Sequence, residues 1–142
     1  MKKKYFIAID LGASGGKMSK VEFDGRSINI DNCINFPNVP VSIHNNLYWD
    51  IFDLYKNIIN GLTKFASEDG EIESIGIDTW GATYGFLDKK GRLAEPIFHY
   101  RDMRTENALE EMYKRVSKRE IFELTGCQCA RSYTLPQLFA ST

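Results

Sequence analysis

The stretch Tyr5–Lys17, YFIAIDLGASGGK, constrains this chain most, because it packs a strand, a carboxylate and a glycine-rich turn into thirteen residues. Tyr5, Phe6, Ile7, Ala8 and Ile9 form an apolar run too short to span a membrane and about right for a central strand. Asp10 closes that run, and a charge belongs there only where the strand reaches a solvent-filled crevice. Gly12, Gly15 and Gly16 let the backbone take positive φ and come close to a ligand. Ser14 adds a hydroxyl and Lys17 a cation. The turn can therefore present N–H groups and one positive charge to a phosphate tail, with Asp10 holding the accompanying magnesium, which points to ATP. The same residues also suit a purely structural hairpin, and the turn alone does not separate the two.

Two better-known phosphate motifs are excluded. A Walker A loop needs glycine where Leu11 stands and Ser or Thr where Met18 stands. The dinucleotide fingerprint needs a second glycine where Ser14 stands, and the following segment does not read as a helix.

Met18–Phe23 reads as a second strand, Asp24-Gly25 as a hairpin turn, and Ser27–Phe36 as the third and outermost strand of a meander, stopped by Pro37 and Pro40. Val41–Tyr48 reads as an irregular surface loop. Asp50 opens a helix, with Asp53 adding charge near its positive end. Ile51, Leu54, Tyr55, Ile58, Ile59, Leu62, Phe65 and Ala66 recur on its apolar face, so the helix covers a sheet. Gly61 costs that helix about 1 kcal/mol against Ala unless close packing needs it. Ile72–Thr79 reads as another short buried strand, ending in Asp78 as the first ends in Asp10. A strand, a long helix and a returning strand make a right-handed crossover, so the two strands should lie parallel, each with an aspartate at the edge where open α/β sheets bind ligands.

Beyond Asp78, Tyr84, Phe86 and Leu87 suggest an antiparallel add-on strand, with Asp88–Gly91 as its turn and Leu93 on the return. Arg101, Asp102 and Arg104 gather two guanidiniums and a carboxylate before a helix over Thr105–Val116. They suit either a structural Arg–Asp pair or recognition of a polyol. Ser117–Glu120 reads as a capping box opening a short helix that Gly126 ends, and Leu135, Leu138 and Phe139 recur at helical spacing with Pro136 in a first turn.

At 142 residues the chain can bury one core, about two-thirds of its extended surface. Eighteen basic residues against nineteen acidic ones, without a basic field, give no reason to expect nucleic acid or a membrane surface as partner. Three cysteines and two histidines make a poor zinc set and suit a reducing cytoplasm. The basic start lacks the features of a secretory signal. A sheet left short on its far side predicts exposed surface and self-association.

The segments IAIDLGASGGK (7–17), LYWD (47–50), SIGIDTWG (74–81), YRDMRT (100–105) and REIFELTGCQ (119–128) together resemble the FGGY family of carbohydrate kinases. Within it the likeness is to kinases of L-rhamnulose. The resemblance implies an α/β, ribonuclease-H-like mixed sheet with flanking helices, of the actin-like ATPase superfamily. Residues 1–142 would be only the front part of the first domain, with the second domain outside them. It implies ATP and Mg2+, with Asp10 near the metal and Gly12, Ala13, Ser14, Gly15, Gly16 and Lys17 near the phosphates. It also implies a small sugar substrate, with Asp78, Trp80, Gly81, Arg101, Asp102 and Arg104 on the sugar side. Lys17 stands where the family commonly has Arg, which keeps the charge and gives up the planar fork. Tyr133 and Pro136 depart from the family's Asn-Thr-Leu segment, so no sugar contact carries over to Tyr133. The family's catalytic aspartate lies beyond residue 142, so no catalytic residue is expected within the chain, and the fragment alone should be inactive. Kinases of L-fuculose or D-xylulose, or a non-catalytic nucleotide- or sugar-binding module, remain open alternatives here.

Overall fold

The opening apolar run forms the centre of a four-stranded sheet. The structure is a computed structural model and describes residues 3–141. Strand β1 (Lys4–Leu11) pairs antiparallel with β2 (Gly15–Phe23), which pairs antiparallel with β3 (Ile28–Pro37). On its other side β1 pairs in parallel with β6 (Ile72–Thr79), giving the order β3-β2-β1-β6. The meander and the parallel return strand are both as expected.

Helix α1 (Ile51–Ala66) supplies the crossover. The Asp50 side chain accepts from Asp53 N at 2.9 Å and caps it. Leu54 and Phe65 pack on Ile7, Ile9, Met18 and Phe36 to form the buried core of this part of the chain. Gly61 lets α1 sit close on that packing: a Cβ there would meet Sδ of the fully buried Met18 and come within 2.9 Å of its Cε. The covered face is narrower than the periodicity suggests, because Tyr55 and Ile59 are exposed.

Strand β6 corrects an expectation. Its apolar run predicts a buried strand, yet Ile75 and Ile77 are 50% and 61% exposed, because β6 is an edge of this sheet and α1 packs over β1 and β2. Its apolar run signals a strand but does not say what covers it.

The chain divides into two compact units. One holds the chain up to Val39 together with Asp50–Trp80, and the other holds Pro40–Trp49 together with the chain from Gly81 on. In the second unit, the stretch read as a loop is a small hairpin of β4 (Val41–Ile43) and β5 (Asn46–Tyr48), turning at His44 with φ +54°. The add-on strand near Phe86 is reduced to a single bridge, Leu87 to Leu93, around the turn that Gly91 closes at φ +75°. The helix expected over Thr105–Val116 is split into a 3-10 turn, Met103–Thr105, and α2 (Ala108–Tyr113). Ser117 caps α3 (Lys118–Thr125) by accepting from Glu120 N, and Gly126 ends it at φ +70°. Helix α4 (Thr134–Phe139) holds Pro136 in its first turn.

Candidate functional site

The glycine turn is tighter than its sequence suggests. Gly15 and Gly16 already belong to β2, and neither they nor Gly12 take positive φ. Their smallness serves close approach instead. A Cβ on Gly12 would lie 2.9 Å from Gly15 O, one on Gly15 would lie 3.1 Å from Phe36 O, and one on Gly16 would enter the Phe36 ring. Gly12 N donates to Gly15 O at 2.9 Å. Asn38, 4% exposed, then clamps the turn: its N donates to Ser14 O at 3.2 Å and its Nδ2 to Gly12 O at 3.0 Å. The carbonyls are thus consumed on the protein side. Among the described residues, no backbone hydrogen bond engages the N–H of Ala13 or Ser14. Two free amides beside the exposed Lys17 are the donor set an anion requires.

The strand ends supply the other half of the site. Asp10 pairs with Lys17 across β1–β2 and with Asp78 across β1–β6, so one rung reads Lys17, Asp10, Asp78. All three are exposed, on the face opposite α1, where they border a concavity shared with Phe6, Ala8 and Gly76. Adjacent strands place the backbones of Asp10 and Asp78 about 4.8 Å apart. Among the described residues, no hydrogen bond or ion pair engages the Asp10 side chain, while Asp78 Oδ1 accepts from Thr79 N at 3.0 Å. No cluster of three or more metal-ligating side chains occurs among the described residues. An exposed Asp10 without a protein cage fits Mg2+ bound together with phosphate and water, and does not fit an all-protein site.

Trp80 extends the β1–β6 ladder, donating from N to Leu11 O at 3.3 Å, and it packs against the core under α1. Gly81, Arg101, Asp102 and Arg104 lie in the second unit. Asp102 is buried, and its carboxylate accepts from Leu47 N at 2.6 Å and from Arg104 N at 2.9 Å. The Arg–Asp ion pair considered from sequence does not form; Asp102 ties the 3-10 turn through backbone amides instead. Arg101 is exposed beside the Tyr100 ring. The Arg104 guanidinium lies 3.8 Å from the Phe98 ring centre and donates from Nη2 to Gln137 Oε1 at 3.3 Å. Its Nε and Nη1 are buried without a partner.

His99 is a further organising residue that sequence reading left aside. It is 4% exposed and packed at a tilt on Trp49, with ring centres 4.0 Å apart, and its Nδ1 accepts from Arg101 N at 3.0 Å, which leaves the ring proton on Nε2. Burial lowers its pKa below the ordinary value of 6.5; Arg101 lowers it further and Asp102 opposes the shift. Asn38 and Gln137 were missed as well, since an isolated amide in a sequence reads as surface.

Residues 5–139 match the N-terminal domain of the FGGY family of carbohydrate kinases. The chain belongs to that family. It is 38% identical over 136 residues to a rhamnulokinase of Bacteroides thetaiotaomicron, covering 96% of this chain and 28% of that protein. It is 36% identical over 137 residues to a rhamnulokinase of Mannheimia succiniciproducens, covering 95% and 28%. A crystal structure of Plasmodium falciparum glycerol kinase with ADP superposes with a TM-score of 0.79 over 95% of this chain and 28% of that one, at 17% identity, a likeness of fold alone. The four-stranded mixed sheet covered by α1 thus belongs to a fold shared with these sugar kinases. The chain spans 28% of the length of these relatives. Among the described residues, no helix is long and apolar enough to cross a membrane.

Proposed function

We infer that these residues are the front part of the first domain of an ATP-dependent sugar kinase, and that the full-length protein converts L-rhamnulose to L-rhamnulose 1-phosphate. The observation that carries the kinase assignment is the exposed rung of Lys17, Asp10 and Asp78 beside a turn with two unengaged amides. The choice of sugar is supported by the two relatives above, both named rhamnulokinases.

Asp10 would hold Mg2+, and Gly12, Ala13, Ser14, Gly15, Gly16 and Lys17 would receive the phosphates of ATP, with Lys17 acting as a point charge. The metal supplies charge neutralisation on the phosphates when bound. Asn38 holds the Gly12 carbonyl and with it the peptide plane that carries the Ala13 amide, so that donor offers charge stabilisation without reorganising. Asp78, Trp80, Gly81, Arg101, Asp102 and Arg104 would form the sugar side, Asp102 through the backbone it holds. In the phosphoryl transfer, a sugar hydroxyl attacks the γ-phosphorus of ATP, the bond to the β,γ-bridging oxygen breaks and ADP leaves, and the hydroxyl proton passes to an aspartate expected outside these residues. The three cysteines are all free thiols, which suits the cytoplasm.

The test is ADP release from MgATP across a panel of ketoses. The full-length protein is expected to prefer L-rhamnulose over L-fuculose and D-xylulose, and the 142-residue chain alone to release no sugar-dependent ADP. Preference for another ketose overturns the substrate assignment. Absence of sugar-dependent turnover in the full-length protein overturns the kinase assignment.

A further inference from the structure

The loop that follows β6 contains a strained residue. Ala82 has φ +58°, in the left-handed region that residues with a Cβ rarely enter. Something must hold it there, and the Ala82 carbonyl shows what does: it accepts from Gln137 Nε2 at 2.7 Å. The same nitrogen donates to Ser132 O at 2.6 Å, and Gln137 Oε1 accepts from Arg104 Nη2 at 3.3 Å. Gln137 is 1% exposed. One buried amide therefore ties together the loop after β6, the start of α4 and the Arg104 side chain stacked on Phe98. Two donors on one atom and an acceptor on the next is chemistry that, at this length, only glutamine offers.

Gly81 directly precedes the strained residue. It is exposed, it does not have positive φ, and a Cβ built on it would meet nothing within 4 Å. Neither a close contact nor a positive φ calls for a glycine there, and the bare, open backbone leaves room for a ligand to approach. Resting on the reading of Gly81 as sugar-facing, we propose that Gln137 is a positioning residue for the sugar site: it holds Ala82 left-handed and so fixes how the Gly81 backbone meets the sugar.

The experiment is Gln137→Glu in the full-length protein, which keeps the size and the acceptor for Arg104 but sets a carboxylate against the carbonyls of Ala82 and Ser132. The KM for L-rhamnulose is expected to rise about tenfold while the KM for ATP stays within about twofold. Amide hydrogen exchange at Ala82 and Thr83 should accelerate about tenfold, with α1 unchanged. Adding Ala82→Gly, which takes the same φ without strain, should recover a large part of the sugar KM. Where Gln137→Glu does not fold, Gln137→Met is read in the same way. A sugar KM within about twofold of wild type in a folded variant, or sugar and ATP KM rising together with a fall in Tm, overturns the proposal. If the wild-type protein phosphorylates no sugar, the kinase assignment falls by itself, and the exchange rates at Ala82 and Thr83 still decide whether Gln137 holds the loop.

Discussion

Asp10 and Asp78 are direct partners on one rung of the parallel pair β1–β6. A one-residue bulge makes them so. The pairing begins at Tyr5 with Ile72 and continues at Phe6 with Ser74, leaving Glu73 over. Had the register run on from Tyr5–Ile72 with Glu73 in the ladder, Asp78 would stand opposite Leu11, on the face that packs against α1, and the two carboxylates would point away from each other. Two acidic groups on neighbouring strands repel, and a divalent cation relieves the repulsion. Lys17 flanks the pair on the other side.

Asn38 should matter to nucleotide more than to sugar. Asn38→Ala removes the Nδ2 bond to Gly12 O and leaves the backbone bond to Ser14 O in place. The expected stability loss is about 1 kcal/mol, because Asn38 Oδ1 is buried without a partner and its removal offsets part of the cost. In the full-length protein the KM for ATP should rise about fivefold with the sugar KM unchanged. Steady-state kinetics with each substrate varied in turn would check this, and an unchanged ATP KM would contradict it.

Gly61 gives a prediction of sign. Helix propensity alone says that Gly61→Ala stabilises by about 1 kcal/mol. The contact with buried Met18 says that it destabilises, since overpacking costs about 1–3 kcal/mol. A net loss of about 1 kcal/mol in denaturant unfolding is expected. A gain would mean that Met18 shifts freely.

His99 sets a pH dependence. Its folded-state pKa lies below 6.5, so the unfolded chain binds the proton first as pH falls. The stability it contributes is complete above pH 6.5 and is lost as the pH drops through the folded value. Protonation would also end acceptance at Nδ1 from Arg101 N. Tm measured from pH 7.5 down to about 5 should fall more steeply for wild type than for His99→Gln, which keeps an acceptor and does not titrate. Parallel curves would contradict this.

The exposed edge of β6 predicts association of the 142-residue chain by itself. Ile75 and Ile77 lie open on a strand with one unpaired side. Sedimentation velocity should show concentration-dependent species, diminished by Ile77→Lys. A single compact monomer at all concentrations would contradict this.

The part of the site made by strand ends was legible in the sequence. The strand, capped helix and returning strand imply two parallel neighbours, so Asp10 and Asp78, each closing its strand, reach the same end, while the bulge that puts them on one rung does not show in the sequence. What escaped depends on tertiary partners. Glycines can serve positive φ or close approach, and only the position of the Phe36 ring and carbonyl shows that Gly15 and Gly16 serve the latter. The isoleucines of β6 mark a strand without saying what covers it. His44 turns a hairpin in a left-handed conformation that its residue type does not announce. Asn38 and Gln137 are single amides whose importance comes from burial beside carbonyls distant in sequence.

The most direct measurement is L-rhamnulose-dependent ADP release by the full-length protein and its Asp10→Asn variant, with magnesium varied. Wild type should turn over, and loss of the Asp10 carboxylate should lower kcat/KM for MgATP about a hundredfold or more and raise the magnesium requirement. An Asp10→Asn protein that keeps wild-type kcat/KM at the same magnesium concentration would mean that the acidic rung does not serve the nucleotide.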